Sequence, residues 1–103
     1  MELVAGYSDY NGEYTDGELN YVLYRFVFDA ANVIFDSSKT SEIAVDLAKL
    51  LKQRAYGVWR SEEHDSVVLA QFRSLAEAAE ALLTSNGFEI EWIDGYNIYC
   101  KEV

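Results

Sequence analysis

The stretch that decides the fold of this chain is residues 19–35, which read LNYVLYRFVFDAANVIF. Its apolar residues recur every three or four positions, the spacing of a helix that is buried on one side. The apolar positions are Leu19, Val22, Leu23, Phe26, Val27, Ala30, Ala31 and Ile34. The polar positions on the other side are Asn20, Arg25, Asp29, Asn32 and Asp36. The stretch therefore predicts one amphipathic helix.

Two strands are the alternative for this stretch, because Tyr, Val and Phe also favour strands. Period-two alternation is absent, since both sets of alternate positions from 21 to 28 are largely apolar. Just upstream, Thr15 and Glu18 have the spacing of a capping box. The sequence therefore favours a helix that begins near Asp16.

Two more helices are predicted downstream. Residues 40–55 form the second, with Thr40 or Ser41 as its cap. Its predicted inner face consists of Ile43, Leu47, Leu50 and Leu51. The third begins at Ser61, has acids in its first turn and ends in the cap-like residues 84–87. A strand over 67–72 followed by a shorter helix is the alternative.

The C-terminal residues have the pattern of a β-hairpin. Phe88, Ile90 and Trp92 alternate with acids, and Asp94-Gly95 then leads into a second apolar run over 96–100. A lone hairpin is marginally stable, so it needs a helix or another strand against it. We therefore expect an α+β fold, with about three helices packed on a small antiparallel sheet. This hairpin forms the sheet, and an N-terminal strand over residues 3–7 is a candidate to join it.

Length and composition predict a single domain over 1–103. Half of the residues are hydrophobic and proline is absent, so nothing marks a linker. Cys100 is the only cysteine, which excludes an internal disulfide, and no secretion signal precedes the first helix. Polar residues interrupt the most apolar stretch, so it does not read as a membrane span. We expect a cytoplasmic protein.

The net charge of −10 disfavours direct binding to nucleic acid or to an anionic membrane. It favours a basic protein as the partner, such as a nucleic-acid-binding protein or a nuclease complex. The alternative is that the acidity only keeps the chain soluble.

The charge is segregated along the chain. Residues 1–18 hold five acids and no base, residues 19–60 hold six bases against four acids, and residues 61–103 hold nine acids against two bases. Acids that repel one another cost stability, so two acidic blocks are better explained by a partner. Tyrosine adds contact area typical of interfaces. The predicted partner-binding residues are Asp9, Tyr10, Glu13, Tyr14, Asp16, Glu62, Glu63, Asp65, Glu89, Glu91, Asp94 and Tyr96.

Residues for catalysis or metal binding are few. His64 is the only histidine, and no nucleophile or metal-ligand pattern accompanies it, so it reads as a solvated residue in a first helical turn. A calcium loop that starts at Asp9 would need glycine and glutamate where Tyr14 and Asn20 stand. We expect no enzyme, no metal and no cofactor.

The leading functional prediction is a small acidic inhibitory binding protein that blocks a basic, nucleic-acid-binding surface of its partner by charge mimicry or steric occlusion. A phage anti-defence inhibitor of the anti-CRISPR type and an immunity protein against a nuclease toxin fit equally. Met1-Glu2-Leu3 with Ser8-Asp9-Tyr10 resembles the start of the immunity proteins of nuclease colicins, although their paired tyrosines are absent after the second helix. The alternatives are a non-catalytic interaction domain or oligomer subunit, and a small enzyme that uses His64.

Overall fold

A computed structural model describes residues 2–3, 15–37, 40–93 and 97–102 of the chain. In chain order the elements are β1 (Glu2–Leu3), α1 (Asp16–Asp36), α2 (Glu42–Trp59), α3 (Asp65–Ser85), β2 (Phe88–Ile93) and β3 (Asn97–Glu102). The three helices pack pairwise against one another, because each presents an apolar side to both of the others.

Helix α1 is one continuous helix, so the alternative of two strands is wrong. It begins where the sequence predicted. The backbone N–H of Glu18 donates to Thr15 Oγ1 at 3.2 Å, and that hydroxyl donates to Glu18 Oε1 at 3.1 Å. These two contacts hold the first turn, and the apolar side of α1 supplies much of the core.

Helix α2 is capped by Ser41, whose Oγ accepts from the N–H of Ala44 at 3.2 Å. It continues to Trp59, so the predicted end at residue 55 is wrong. Gly57 inside a helix costs about 1 kcal/mol. The last turn is nevertheless held, because the Trp59 ring stacks on Tyr24 of α1 with centroids 4.9 Å apart and planes 4° apart.

Helix α3 begins at Asp65, four residues later than the predicted start at Ser61. Its cap is His64, whose Nδ1 accepts from the N–H of Ser66 at 3.3 Å. A strand over 67–72 is wrong, since the helix runs unbroken to Ser85. The predicted C-terminal signal is confirmed: Asn86 is the C-cap, and Gly87 follows with φ of +86°.

The predicted inner face of α2 is wrong at three of its four residues, and only Leu51 among them packs against the core. Ala44, Ala48 and Ala55 are the buried residues of this helix, and Leu51 is partly buried against them. Ile43, Leu47 and Leu50 lie at the surface. The periodicity was right, but Ile43, Leu47 and Leu50 do not lie on the face that packs. The large side chains of α1 fill the interface, and small residues on α2 leave room for them.

The predicted fold class is also wrong: the molecule is predominantly helical, not an α+β fold with helices laid on a sheet. Among the residues whose exposure the structure describes, Phe88 is the only buried one outside the three helices. The strands are a small addition, with β3 pairing antiparallel to β2 (Phe88↔Glu102 to Ile93↔Asn97) and to β1 (Glu2↔Tyr99). The buried apolar residues of the three helices, together with Phe88, form the core.

Candidate binding surfaces

The N-terminal ends of α1 and α3 lie side by side. The side-chain amide of Asn20 donates to the backbone carbonyl of Asp65 at 3.2 Å, and this buried asparagine joins the two helices. A methyl group at Gly17 would lie 3.5 Å from Asp65 Oδ2, so the first turns of the two helices are in contact. The folding of the helices therefore brings together two acidic segments that are far apart in sequence.

The acidic end is the name we give to the exposed carboxylates of this region. Its members are Asp16, Glu18, Glu62, Glu63 and Asp65. The unpaired N–H groups of a helix start favour nearby negative charge, so the ends of α1 and α3 partly offset the repulsion among these acids. Asp16, Glu62, Glu63 and Asp65 are four of the predicted partner-binding residues. Glu18 was not among them, and its carboxylate is part of the capping box of α1.

The other predicted residues are not part of this cluster. Glu89 is exposed, but it follows the C-terminal end of α3, whereas the acidic end lies at the N-terminal end of this helix. The two ends of a helix of 21 residues are about 30 Å apart. The structure places Glu91 in β2, with its backbone opposite Tyr99. Asp9, Tyr10, Glu13, Tyr14, Asp94 and Tyr96 lie outside the described residues.

His64 has a structural role at the edge of the acidic end. Its Nδ1 lies 3.1 Å from Ser66 Oγ and accepts from the N–H of Ser66, which places the proton of the neutral ring on Nε2. Within the described residues, no three His, Cys, Asp or Glu side chains are grouped so that they could hold a metal ion. Catalysis by His64 stays an untested prediction.

A second surface is the aliphatic stripe, formed by Ile43, Leu47 and Leu50 on α2. Their side chains are 73%, 45% and 52% exposed. The stripe borders a groove of about 520 Å³ between α2 and α3, to which Leu75 and Leu82 contribute from the other side. The sequence contained this signal, but the same spacing was interpreted as the inner face.

A third surface is the aromatic cleft between α1 and α2, which encloses about 430 Å³. It is lined by Phe28, Phe35, Lys49, Lys52, Gln53 and Tyr56. Lys52 Nζ donates to Asn32 Oδ1 at 3.1 Å and lies 5.1 Å from the Phe28 ring centroid and 5.5 Å from that of Phe35. The cleft thus combines apolar walls with ammonium groups, and sequence reasoning missed it because its residues come from two helices.

The same face continues toward the end of α2 with two arginine–tyrosine pairs. Arg25 donates to the hydroxyl of Tyr21 at 3.2 Å, and Arg60 donates to that of Tyr56 at 3.0 Å. These hydrogen bonds raise the pKa of both arginines above its ordinary value, with a smaller contribution from Asp29 at Arg25. Arginine is already protonated at any physiological pH, so this face keeps its positive charge.

No helix in the described part of the chain is both long and apolar enough to cross a bilayer. Comparisons of the sequence with protein-family models and with curated proteins, and of the structure with solved structures, find no match. The candidate surfaces are therefore interpreted from their own geometry and charge.

Proposed function

We propose that this chain is a small, non-catalytic inhibitory protein that binds a basic partner and blocks its nucleic-acid-binding surface. The observation that carries the proposal is the acidic end, where the adjoining starts of α1 and α3 carry five exposed carboxylates at, or within three residues of, their first residues. Such a group of negative charges can meet the Lys and Arg side chains that would otherwise contact a phosphate backbone.

Repulsion among the carboxylates of the acidic end favours binding to a basic surface. Like charges held close together destabilise the free protein, and the net charge of −10 adds to this self-repulsion. A basic surface replaces that repulsion by attraction and accelerates the encounter through long-range steering. Binding would occlude the site of the nucleic acid, either by imitating its charge or by simply covering it.

Two biological settings suit this activity equally. One is a phage protein that disarms a host defence nuclease, as an anti-CRISPR inhibitor does, and the other is an immunity protein that neutralises a nuclease toxin. The neighbouring genes would distinguish them, since a toxin gene accompanies an immunity gene.

The test is affinity capture from the native host with two bait variants that each lose four negative charges. The first neutralises the acidic end: Asp16→Asn, Glu62→Gln, Glu63→Gln and Asp65→Asn. The control neutralises exposed acids elsewhere on the helices: Asp36→Asn, Glu42→Gln, Asp46→Asn and Glu77→Gln. We expect the wild type and the control to retain a nucleic-acid-binding protein that the first variant loses, and the wild-type complex to weaken steeply with salt. Recovery of only acidic proteins, or equal loss in both variants, would contradict the proposal.

The aliphatic stripe supports a second candidate, a subunit of an oligomer or an interaction domain in a larger complex. Three exposed aliphatic side chains on one helix face are typical of a surface that another protein covers. A contact of this kind hardly responds to salt, in contrast to binding by the acidic end. Sedimentation equilibrium of the wild type and of Leu47→Gln tests it: the second candidate requires self-association or partner binding that Leu47→Gln weakens.

A further inference from the structure

The aromatic cleft has the composition of a small-molecule site. Its volume of about 430 Å³ falls within the range of about 300–1,000 Å³ that is usual for ligand pockets. The rings of Phe28, Phe35 and Tyr56 give it apolar walls, and two lysines supply charge. Small-molecule sites usually consist of an apolar concave surface with a few convergent polar groups.

Lys52 has bonding capacity to spare. An ammonium group has three N–H donors, and the contact with Asn32 Oδ1 uses one of them. The ammonium group rests over the two phenylalanine rings, 5.1 Å from the Phe28 centroid and 5.5 Å from that of Phe35. Lys49 lines the same cleft one helical turn away and is exposed.

We propose that the aromatic cleft binds a small hydrophobic carboxylate, with its apolar body between Phe28, Phe35 and Tyr56 and its carboxylate on Lys49 and Lys52. Charge complementarity selects an anion, since two ammonium groups stand at a mouth that lacks acidic lining residues. The apolar walls select a molecule with a hydrophobic body over a plain inorganic anion. This inference does not depend on the acidic end or on its partner.

A nucleic acid is the less suitable occupant, although aromatic and basic side chains also line single-strand sites. The net charge of −10 repels a long polyanion from the whole molecule, whereas a single carboxylate meets only the local field of the lysines.

Three probes separate the contributions to binding. They are 2-naphthoate, its neutral amide 2-naphthamide, and acetate, and binding to the isotopically labelled full chain is followed by NMR amide shifts. We expect 2-naphthoate to bind several-fold more tightly than the amide and far more tightly than acetate, in the millimolar range for an open cleft. The shifts should map to α1 and α2 around residues 28, 35, 52 and 56.

Matched variants test the roles of the two lysines and of Tyr56 in binding. The double variant Lys49→Gln, Lys52→Gln should weaken 2-naphthoate about tenfold, roughly threefold per exposed charge pair, and leave 2-naphthamide unchanged. Arg54→Gln with Arg73→Gln removes the same charge outside the cleft and should have little effect. Tyr56→Ser, at a side chain that is 42% exposed, should weaken both naphthalene probes without unfolding the chain.

The proposal is overturned if the acid and the amide bind equally, or if acetate binds as tightly as 2-naphthoate. It is overturned likewise if the shifts map to the aliphatic stripe, or if both lysine and arginine variants lose binding to the same degree. Circular dichroism of each variant verifies that the helices are intact before binding is compared. A polyanion such as single-stranded DNA that displaces 2-naphthoate at micromolar concentration would replace the small carboxylate as the occupant.

Discussion

At the scale of single residues, Asn20 shows what helical periodicity alone cannot resolve. The sequence places it on the polar side of α1, yet only 3% of it is exposed. Its amide nitrogen reaches the carbonyl of Asp65 in α3, while its Oδ1 is buried without a hydrogen-bond partner among the described residues. A polar residue can be buried where one hydrogen bond across helices compensates, and the sequence does not reveal such a distant partner.

Replacement of this asparagine should therefore cost stability. Asn20→Ala removes the hydrogen bond between α1 and the start of α3, and we expect it to lower the free energy of unfolding by about 1–2 kcal/mol. Urea denaturation followed by circular dichroism measures the change.

The control is the same substitution at an exposed position of the same helix. Asn32→Ala loses only the surface contact with Lys52, so its effect should stay within about 0.5 kcal/mol. Equal losses in both variants would mean that the contact between Asn20 and Asp65 does not contribute to folding.

At the scale of elements, the sequence predicted the number of helices, the start of α1 and the Ser41 cap of α2, but not the end of α2 or the start of α3. The capping box of Thr15 and Glu18 is local, so four residues suffice to recognise it. The end of α2 is not local: it depends on Trp59 stacking against Tyr24, which is 35 positions away in the sequence. The cost of Gly57 inside a helix is visible in the sequence, whereas the compensating contact is not.

Gly57 offers a direct way to stabilise α2. It lies inside the helix, and no atom comes within 4 Å of the position that a methyl group would occupy. Gly57→Ala should raise the free energy of unfolding by about 0.5–1 kcal/mol, because alanine restricts the unfolded chain and favours the helix.

Gly87→Ala is the matched counterpart. It also has open space around the added methyl group, but φ of +86° is unfavourable for any residue with a Cβ. We expect a loss of about 1 kcal/mol there. If the two substitutions changed stability in the same direction, the helical assignment of residue 57 would be wrong.

The two faces of α2 give a further prediction at this scale. Leu47→Gln changes a residue of the aliphatic stripe that is 45% exposed, so the free energy of unfolding should change by less than about 0.5 kcal/mol. Ala48→Leu adds volume at a fully buried position and should lower it by about 1–3 kcal/mol. Denaturation at low protein concentration keeps self-association out of the comparison. A large loss of stability in Leu47→Gln and none in Ala48→Leu would mean that Leu47, and not Ala48, lies on the buried face of α2, as the sequence predicted.

At the scale of the whole molecule, the distribution of charge was more predictable than the fold class. Composition and the order of acidic and basic segments are properties of the chain, so the sequence states them directly. That the starts of α1 and α3 meet depends on helix packing, which local patterns do not encode. The fold class was wrong for the same reason: the strand pattern of the C-terminal residues was easy to recognise, but it did not show that the helices would bury one another.

Repulsion within the acidic end predicts that the stability of the whole molecule depends on the salt concentration. Salt screens repulsion between exposed charges, and the Debye length falls from about 30 Å at 0.01 M to about 8 Å at 0.15 M. The melting temperature of the wild type should therefore rise by a few degrees over this range, since 1 kcal/mol corresponds to about 4–8 °C in a domain of this size. Neutralising Asp16, Glu62, Glu63 and Asp65 should reduce this dependence on salt more than neutralising Asp36, Glu42, Asp46 and Glu77. The first four lie at or just before the adjoining starts of α1 and α3, whereas the other four are divided among three helices. Thermal denaturation by circular dichroism at both salt concentrations measures the difference. Equal slopes for the two variants would mean that repulsion is a property of the net charge alone, and the acidic end would then lose the energetic argument for a basic partner.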